Sequence, residues 1–212
     1  MNLPDNEYQF PPVTSADAEG LLAIGGDLSA SCLLTAYRNG IFPWFNDDSL
    51  PMWWCPDPRF VLFPNELKIS KSMHALLKKG HYQFRYNTQF EAVITNCQQI
   101  HRPGQDGTWI TKGIIDAYTE LHRKGYAVSA EAWQGDTLAG GLYGIRLGKL
   151  FFGESMFSLQ PNASKFALIH LIRYLSNEGL QLVDCQVYTE HLDRLGARMI
   201  PRDLFLQYVH QK

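Results

Sequence analysis

The spacing of apolar residues changes twice along the chain, and each change predicts a different kind of element. Up to about Val61 the sequence is rich in Pro, Gly and aromatic residues, and one stretch alone has a helical period. Ser29 is placed to cap it, Cys32, Leu33, Ala36 and Tyr37 make its apolar face, and Asn39-Gly40 supplies the stop. Beyond Pro56-Asp57-Pro58 the pattern becomes regular. Ser70 caps a helix over 71–79 that ends at Gly80, a short strand follows over 82–85, and Phe90, Val93, Ile94 and Cys97 mark a second helix. Ile114, Ile115, Tyr118 and Leu121 mark a third, closed by Gly125. From Tyr126 the period shortens to two. Strands over 127–133 and 138–146 meet at Gln134-Gly135-Asp136, and Leu147-Gly148 turns the chain into a third strand beginning Leu150-Phe151-Phe152. A helix over 162–177, a strand over 182–187 and a final turn, strand and helix over 191–212 complete an α+β order. The pattern predicts a small aromatic-rich N-terminal domain, residues 1–62, and a larger domain, residues 63–212, whose mixed sheet is flanked by helices.

Two acids interrupt this pattern. Glu154 and Asp184 both sit inside apolar strands, where even a neutral polar group without partners costs roughly 2–7 kcal/mol to bury. An ion pair or a loop cap accounts for one such acid; two on neighbouring strands point to a site. Asp184 and Gln186 are two residues apart and are expected on one face of their strand, with Cys185 turned away into the core. Trp44 follows Pro43 in a loop and Trp109 precedes a helix N-terminus, positions from which an indole can stack on a ring, whereas Trp53 and Trp54 read as filling of a small core.

Composition narrows the classes. A chain of 212 residues with 45% hydrophobic content is globular, and a formal charge of -2 leaves no global basic field. Nucleic-acid contact would have to come from a local cluster, for which Lys71, Lys78, Lys79 and Arg85 are the candidates, although lysines on a helix more often only solvate it. Cys32, Cys55, Cys97 and Cys185 are widely spaced and form no C-x-x-C pair, which argues against a disulfide framework or a metal site and for a reducing, cytoplasmic setting. There is no signal-peptide pattern and no apolar run near the ~18 residues of a membrane span.

The order of strands and helices resembles the GNAT acyltransferase core. In that fold a glycine-containing turn cradles the pyrophosphate of coenzyme A on backbone N–H groups. The corresponding turn here, Ser158-Leu159-Gln160-Pro161-Asn162-Ala163-Ser164-Lys165, has no glycine and contains a proline without an N–H, so a CoA-dependent N-acetyltransferase is the disfavoured alternative. Six blocks carry a more specific likeness: Leu22-Ala23-Ile24-Gly25-Gly26-Asp27-Leu28, Gly40-Ile41-Phe42-Pro43-Trp44, Trp53-Trp54-Cys55-Pro56-Asp57-Pro58-Arg59, Gly107-Thr108-Trp109-Ile110-Thr111, Gly153-Glu154-Ser155-Met156-Phe157 and Asp184-Cys185-Gln186. Together and in this order they resemble bacterial leucyl/phenylalanyl-tRNA-protein transferase.

The resemblance implies transfer of Leu or Phe, and by extension Met, from aminoacyl-tRNA to the α-amino group of proteins beginning with Arg or Lys, which marks them for N-degron degradation. It implies a cytoplasmic monomer working without metal or organic cofactor and without a membrane. Asp184 and Gln186 are then the catalytic candidates, either through a relay in which the carboxylate holds the Gln186 amide, or with Asp184 on the terminal ribose hydroxyl. Leu142, where the family often carries Met, and Met156 would line the slot for the donor side chain. Tyr37, Trp44, Trp109 and Tyr118 would hold the terminal adenosine and the reacting groups. Glu154 would meet the cationic acceptor, and Thr189 stands where the family usually has Asn. Lys71, Lys78, Lys79 and Arg85 would grip tRNA phosphates. A peptidoglycan-branching transferase would need a longer chain, and a cysteine hydrolase using Cys185 with His191 would need a thiol that faces the site.

Overall fold

A computed structural model of the chain describes residues 8–45, 50–100 and 108–211. Residue 107, at the start of the block that contains Trp109, lies outside the described residues. The N-terminal part holds β1 (Leu21–Ile24), α1 (Ala30–Arg38), β2 (Phe42–Pro43) and β3 (Met52–Trp54), and the three strands form a small antiparallel sheet in the order β1-β3-β2. The expected cap is in place: Ser29 Oγ accepts the Cys32 N–H at 3.2 Å. Trp53 is buried and its indole N–H donates to the Gly25 carbonyl, so this indole does fill a small core.

The rest of the chain follows as β4 (Arg59–Leu62), α2 (Lys71–Lys78), β5 (Gln83–Tyr86), α3 (Phe90–Gln99), α4 (Lys112–Arg123), β6 (Ala127–Gln134), β7 (Thr137–Leu147), β8 (Leu150–Ser158), α5 (Ala163–Ser176), β9 (Leu182–Gln186), α6 (Glu190–Asp193), β10 (Arg198–Ile200) and α7 (Arg202–His210). One seven-stranded sheet runs β10-β4-β9-β8-β7-β6-β5. Its pairs are antiparallel except β8 with β9, so the sheet is mixed, as the α+β order requires. The division expected after residue 62 cuts this sheet: β4 is hydrogen-bonded between β10 and β9 and belongs to the large sheet, not to the N-terminal unit. Four consecutive buried residues, Arg59 to Leu62, explain why, since a strand covered on both faces can only be internal.

Apolar side chains gather on both faces of the sheet. On one, α5 packs with Phe60, Leu62, Ala130, Leu142, Phe151 and Val183; on the other, α1, α3 and α4 pack with Tyr143, Ile145, Phe152 and Phe157. Gly140 lets α5 settle close to β7, because a Cβ there would stand 2.6 Å from that of Ala163.

Candidate active site

Two irregularities in the sheet build the site. β8 and β9 pair in parallel only at Leu150↔Leu182, Phe151↔Val183 and Phe152↔Asp184, although β8 runs on to Ser158. The strands therefore diverge after Phe152, and a cavity of ≈ 600 Å³ opens where they part. The second irregularity lies on the other edge of β8. Tyr143 faces Ser155 while Gly144 faces Gly153, which leaves Glu154 as the extra residue of a β-bulge. Gly144 is required there, since a Cβ would fall 2.1 Å from the Phe152 carbonyl oxygen. A bulge re-aims the side chain it carries, and here that side chain is the Glu154 carboxylate.

One wall of the cavity is apolar, with Leu142, Phe151, Met156, Leu168 and Val183; Leu142 and Met156 are directly paired across β7 and β8. The other end is polar, with Glu154, Asp184 and Gln186. Trp44, 45% exposed, and the half-buried Trp109 also line it. Trp44 is held through its carbonyl, which accepts the Trp54 indole N–H at 2.6 Å.

The two acids have different surroundings. Asp184 is fully buried and receives Arg59 in a bidentate pair, Nε to Oδ1 at 2.8 Å and Nη2 to Oδ2 at 2.7 Å. The Arg59 guanidinium lies between the rings of Phe42 and Phe205, 4.6 and 4.5 Å from their centroids. Burial works against this cation, and the charge and hydrogen bonds of Asp184 more than offset it, holding Arg59 above the usual guanidinium range. Asp184 Oδ1 also accepts the backbone N–H of Gln186 at 3.0 Å.

Glu154 has no ion pair among the described residues. Tyr37 Oη donates to its Oε1 at 2.7 Å, Tyr118 Oη lies 3.0 Å from Oε2, and the two tyrosine hydroxyls contact each other. Gln186 Nε2 approaches Oε1 at 3.4 Å, a long contact. Burial pushes the Glu154 carboxyl up to about 8; the tyrosine hydrogen bonds pull against that rise, Asp184 adds to it and Arg59 opposes it. Burial, and then the charge of Glu154, hold Tyr37 and Tyr118 well above the ordinary phenol range.

A third acid shows what a purely structural carboxylate looks like in this fold. Glu131, fully buried on β6, accepts the backbone N–H groups of Thr88 and Gln89, the Ser129 hydroxyl and the Thr88 hydroxyl, at the start of α3. Its oxygens are consumed by fixed donors and it does not line the cavity.

Several sequence expectations change. Asp184 and Gln186 do meet at the cavity, but not as a side-chain relay. β9 bulges at Cys185, since Phe60 faces Gln186 and Val61 faces Asp184, and Gln186 takes a left-handed φ of 58°. The Gln186 backbone N–H binds Asp184, and its amide N–H₂ turns to Glu154 instead. Tyr37 and Tyr118 are wholly buried behind Glu154 and are not among the cavity-lining residues. Thr189 reaches the cavity rim, but its hydroxyl accepts the Leu192 N–H as the cap of α6.

The basic residues do not form one surface. Lys71, Lys78 and Lys79 are exposed on α2, whose Met73 packs into the α5-side core. Arg85 alternates with Phe84 and Tyr86, whose rings meet α5, so it faces the opposite side and stacks on Trp133 at 4.4 Å. In the turn before α5, the Ser158 hydroxyl already occupies the Ser164 N–H at 2.9 Å. Burial pushes the Cys185 thiol up, with Asp184 adding to the rise, so the sulfur is a thiol and no ready nucleophile.

Arg59 was missed, although a cation entering the apolar run Phe60-Val61-Leu62 is the same kind of signal that singled out the two acids. His191 lines the cavity and was named only as a hydrolase partner; burial, with Lys165 and Arg194, lowers its pKa.

A mixed sheet that parts between two parallel strands, over a cavity with an apolar wall and a polar end, defines an α+β protein with one site at the parting of β8 and β9. The family model described as "Leucyl/phenylalanyl-tRNA protein transferase" matches residues 61–210, and that of the "Leucyl/phenylalanyl-tRNA protein transferase N-terminal domain" matches residues 26–57. The chain is 56% identical over 203 residues to the leucyl/phenylalanyl-tRNA–protein transferase of Flavobacterium johnsoniae, covering 96% of each. It is 53% identical over 205 residues to that of Christiangramia forsetii, covering 96% of this chain and 97% of that one. Among solved structures, a GCN5-related N-acetyltransferase from Kribbella flavida aligns at a TM-score of 0.40, with 10% identity over 80% of this chain and 59% of that one. The chain belongs to the leucyl/phenylalanyl-tRNA–protein transferase family, and is thus an aminoacyltransferase whose substrates are aminoacyl-tRNA and protein. No helix among the described residues is long and apolar enough to cross a membrane.

Proposed function

We propose that this cavity joins Leu or Phe, with Met as a further donor, to the α-amino group of proteins that begin with Arg or Lys, and that these products enter N-degron degradation. The observation that carries the reading is the contrast between the two acids: Asp184 has its own cation, whereas Glu154 faces the cavity with none. A cationic N-terminal residue or its ammonium group supplies that missing charge. The apolar wall of Leu142 and Met156 suits an unbranched-Cβ donor side chain, and Trp44 and Trp109 flank the place for the terminal adenosine.

Aminolysis of the ester needs little activation, because an α-amino group with a pKa of about 7.7–8.0 is partly neutral near pH 7. Nitrogen attacks the ester carbonyl, the bond to the ribose oxygen breaks, and the proton lost by nitrogen ends on that oxygen. Placement of the two groups contributes most. In this reading Gln186 touches the reacting amine, and Asp184 is the group that positions it through the backbone N–H. Tyr37 and Tyr118 act from behind Glu154, and Thr189 borders the cavity with its hydroxyl committed to the α6 cap. Lys71, Lys78 and Lys79 meet tRNA phosphates without reading sequence, with Arg85 contributing from the other face. Neither cofactor nor metal enters the scheme. The described cysteines are all free thiols, and a cytoplasmic monomer is part of the same proposal.

The test is transfer of labelled Leu or Phe from charged tRNA to matched acceptors differing only in the first residue, at low salt. Arg-first and Lys-first acceptors are labelled and the Gly-first acceptor is not. Equal labelling of all three removes Glu154 from acceptor selection.

A further inference from the structure

Glu154, Tyr37 and Tyr118 bring three oxygen pairs into contact: Tyr37 with Oε1, Tyr118 with Oε2, and the two phenols with each other. A hydrogen bond needs one proton, and three contacts in a closed ring need three. The phenols supply two. With Glu154 ionised, one contact sets two oxygens together with no proton between them; with Glu154 protonated, every contact is served. Tyr37 and Tyr118 are fully buried, so water cannot reach the contact between the two phenols, while Glu154 itself borders the cavity.

Resting on the acceptor reading above, we infer that Glu154 stands as a neutral carboxylic acid in the empty site and gives up its proton when a cationic N-terminus binds, so that the enzyme exchanges a proton for its substrate's charge. The groups around it agree. From α1 and α4 come only phenols, themselves held neutral; from β9 come the Gln186 amide and the Asp184 anion; from β4 comes Arg59, already committed to Asp184. Arg59 Nη1 has no hydrogen-bond partner and its charge acts on Glu154, but among the described residues no cation forms an ion pair with that carboxyl. In the exchange the O–H bond of Glu154 breaks, the proton leaves to solvent, and an N–H of the incoming cation takes its place on the carboxylate. The cation meant is the Arg or Lys side chain, since every N-terminus carries the α-amino group; an N-terminal residue with an uncharged side chain offers no such replacement, and the acid keeps its proton. The exchange accounts for selection of a cation by an acid that is itself uncharged at rest, and it explains the rise of the Glu154 carboxyl to about 8 as a property of the empty state.

Two measurements decide it. The first uses the full chain labelled with ¹³C in glutamate side chains, the Glu154 signal being assigned by its loss in Glu154→Gln. The carboxyl is expected to titrate with a midpoint near 8, and a midpoint at the ordinary position of a glutamate overturns the neutral acid. The second is calorimetry at pH 6.5–7 with a short Arg-first peptide in buffers of different ionisation enthalpy. Release of about one proton per bound peptide is expected, falling to about zero in Glu154→Gln. Binding without proton release overturns the exchange while leaving the acceptor reading intact. A midpoint near 8 with no binding of Arg-first peptide in either protein overturns the acceptor assignment, and the exchange with it.

Discussion

Asp184→Asn breaks the bidentate pair with Arg59 and leaves a guanidinium with no anion in a fully buried place. Removing one partner of a buried pair costs about 3–5 kcal/mol, because the remaining charge keeps its desolvation penalty. For a chain of 212 residues, at roughly 2–4 °C per kcal/mol, that is a fall in Tm of about 6–20 °C. Replacing both partners, as in Arg59→Met with Asp184→Leu, removes the uncompensated charge, keeps comparable volume between the Phe42 and Phe205 rings, and returns stability to within about 2 kcal/mol of wild type. Denaturant unfolding of wild type, both singles and the double gives a cycle whose coupling is large and favourable. Turnover separates positioning from stability. The double variant has no acceptor for the Gln186 N–H, so its transfer rate stays low after its stability has recovered. An Asp184→Asn protein that melts within a few degrees of wild type, or a double variant whose losses simply add, would refute the idea that this pair neutralises itself in isolation.

Three further outcomes are expected. Since Glu154 binds its proton more tightly folded than unfolded, its contribution is complete below pH 4.5 and is lost as pH rises toward 8; across that window Glu154→Gln gains on wild type by up to about 5 kcal/mol, at ~1.36 kcal/mol per pH unit, and a difference flat with pH in urea unfolding contradicts it. Leu142→Met places a pliable side chain opposite Met156 and shifts the relative kcat/KM for Leu, Phe and Met donors by no more than about 1–3 kcal/mol, read by competition between charged tRNAs; unchanged ratios remove Leu142 from the donor wall. Lys78→Ala with Lys79→Ala weakens all donor tRNAs alike and flattens the salt dependence of log K by roughly 0.9 for each phosphate no longer neutralised, with no change in Tm; a weakening confined to one tRNA contradicts a phosphate grip.

The parts of the fold set by neighbours in sequence were legible. Caps at Ser29 and Ser70 accept the N–H three residues on, and the helices α1 to α5 and the strands β6 to β9 follow the periods that predicted them. What depends on distant strands was not. Nothing local in Arg59-Phe60-Val61-Leu62 says that it will lie between β9 and β10, or that Arg59 will meet an acid 125 residues away. The site was half legible for the same reason. Glu154 and Asp184 stood out as acids inside apolar strands, yet Glu131 meets that description equally well and serves only as a cap for α3. A regular strand would have set Asp184 and Gln186 side by side on one face, but the bulge at Cys185 and the left-handed Gln186 replace that pairing with a backbone contact. Gly144 and Gly153 were the available hints of irregularity, because glycines inside a strand often mark a bulge.

The sheet's geometry also explains why two acids so near each other differ in kind. Asp184 sits on the last rung that β8 and β9 share, opposite Phe152, fully buried at the edge of the cavity and paired with Arg59. Glu154 lies two residues past that rung, on a bulge, where the strands have parted and one side is open to the cavity. One carboxylate is paired with an internal cation and the other is not. Asp184, with Arg59 as its partner, is fit to hold the backbone around Gln186. Glu154, with phenols behind it and space in front, can only be balanced by something that enters. A resident cation beside Glu154 would remove that difference, stabilising the empty protein while cancelling the attraction for a charged N-terminus, and the stability forgone at Glu154 is on this reading what makes the site selective.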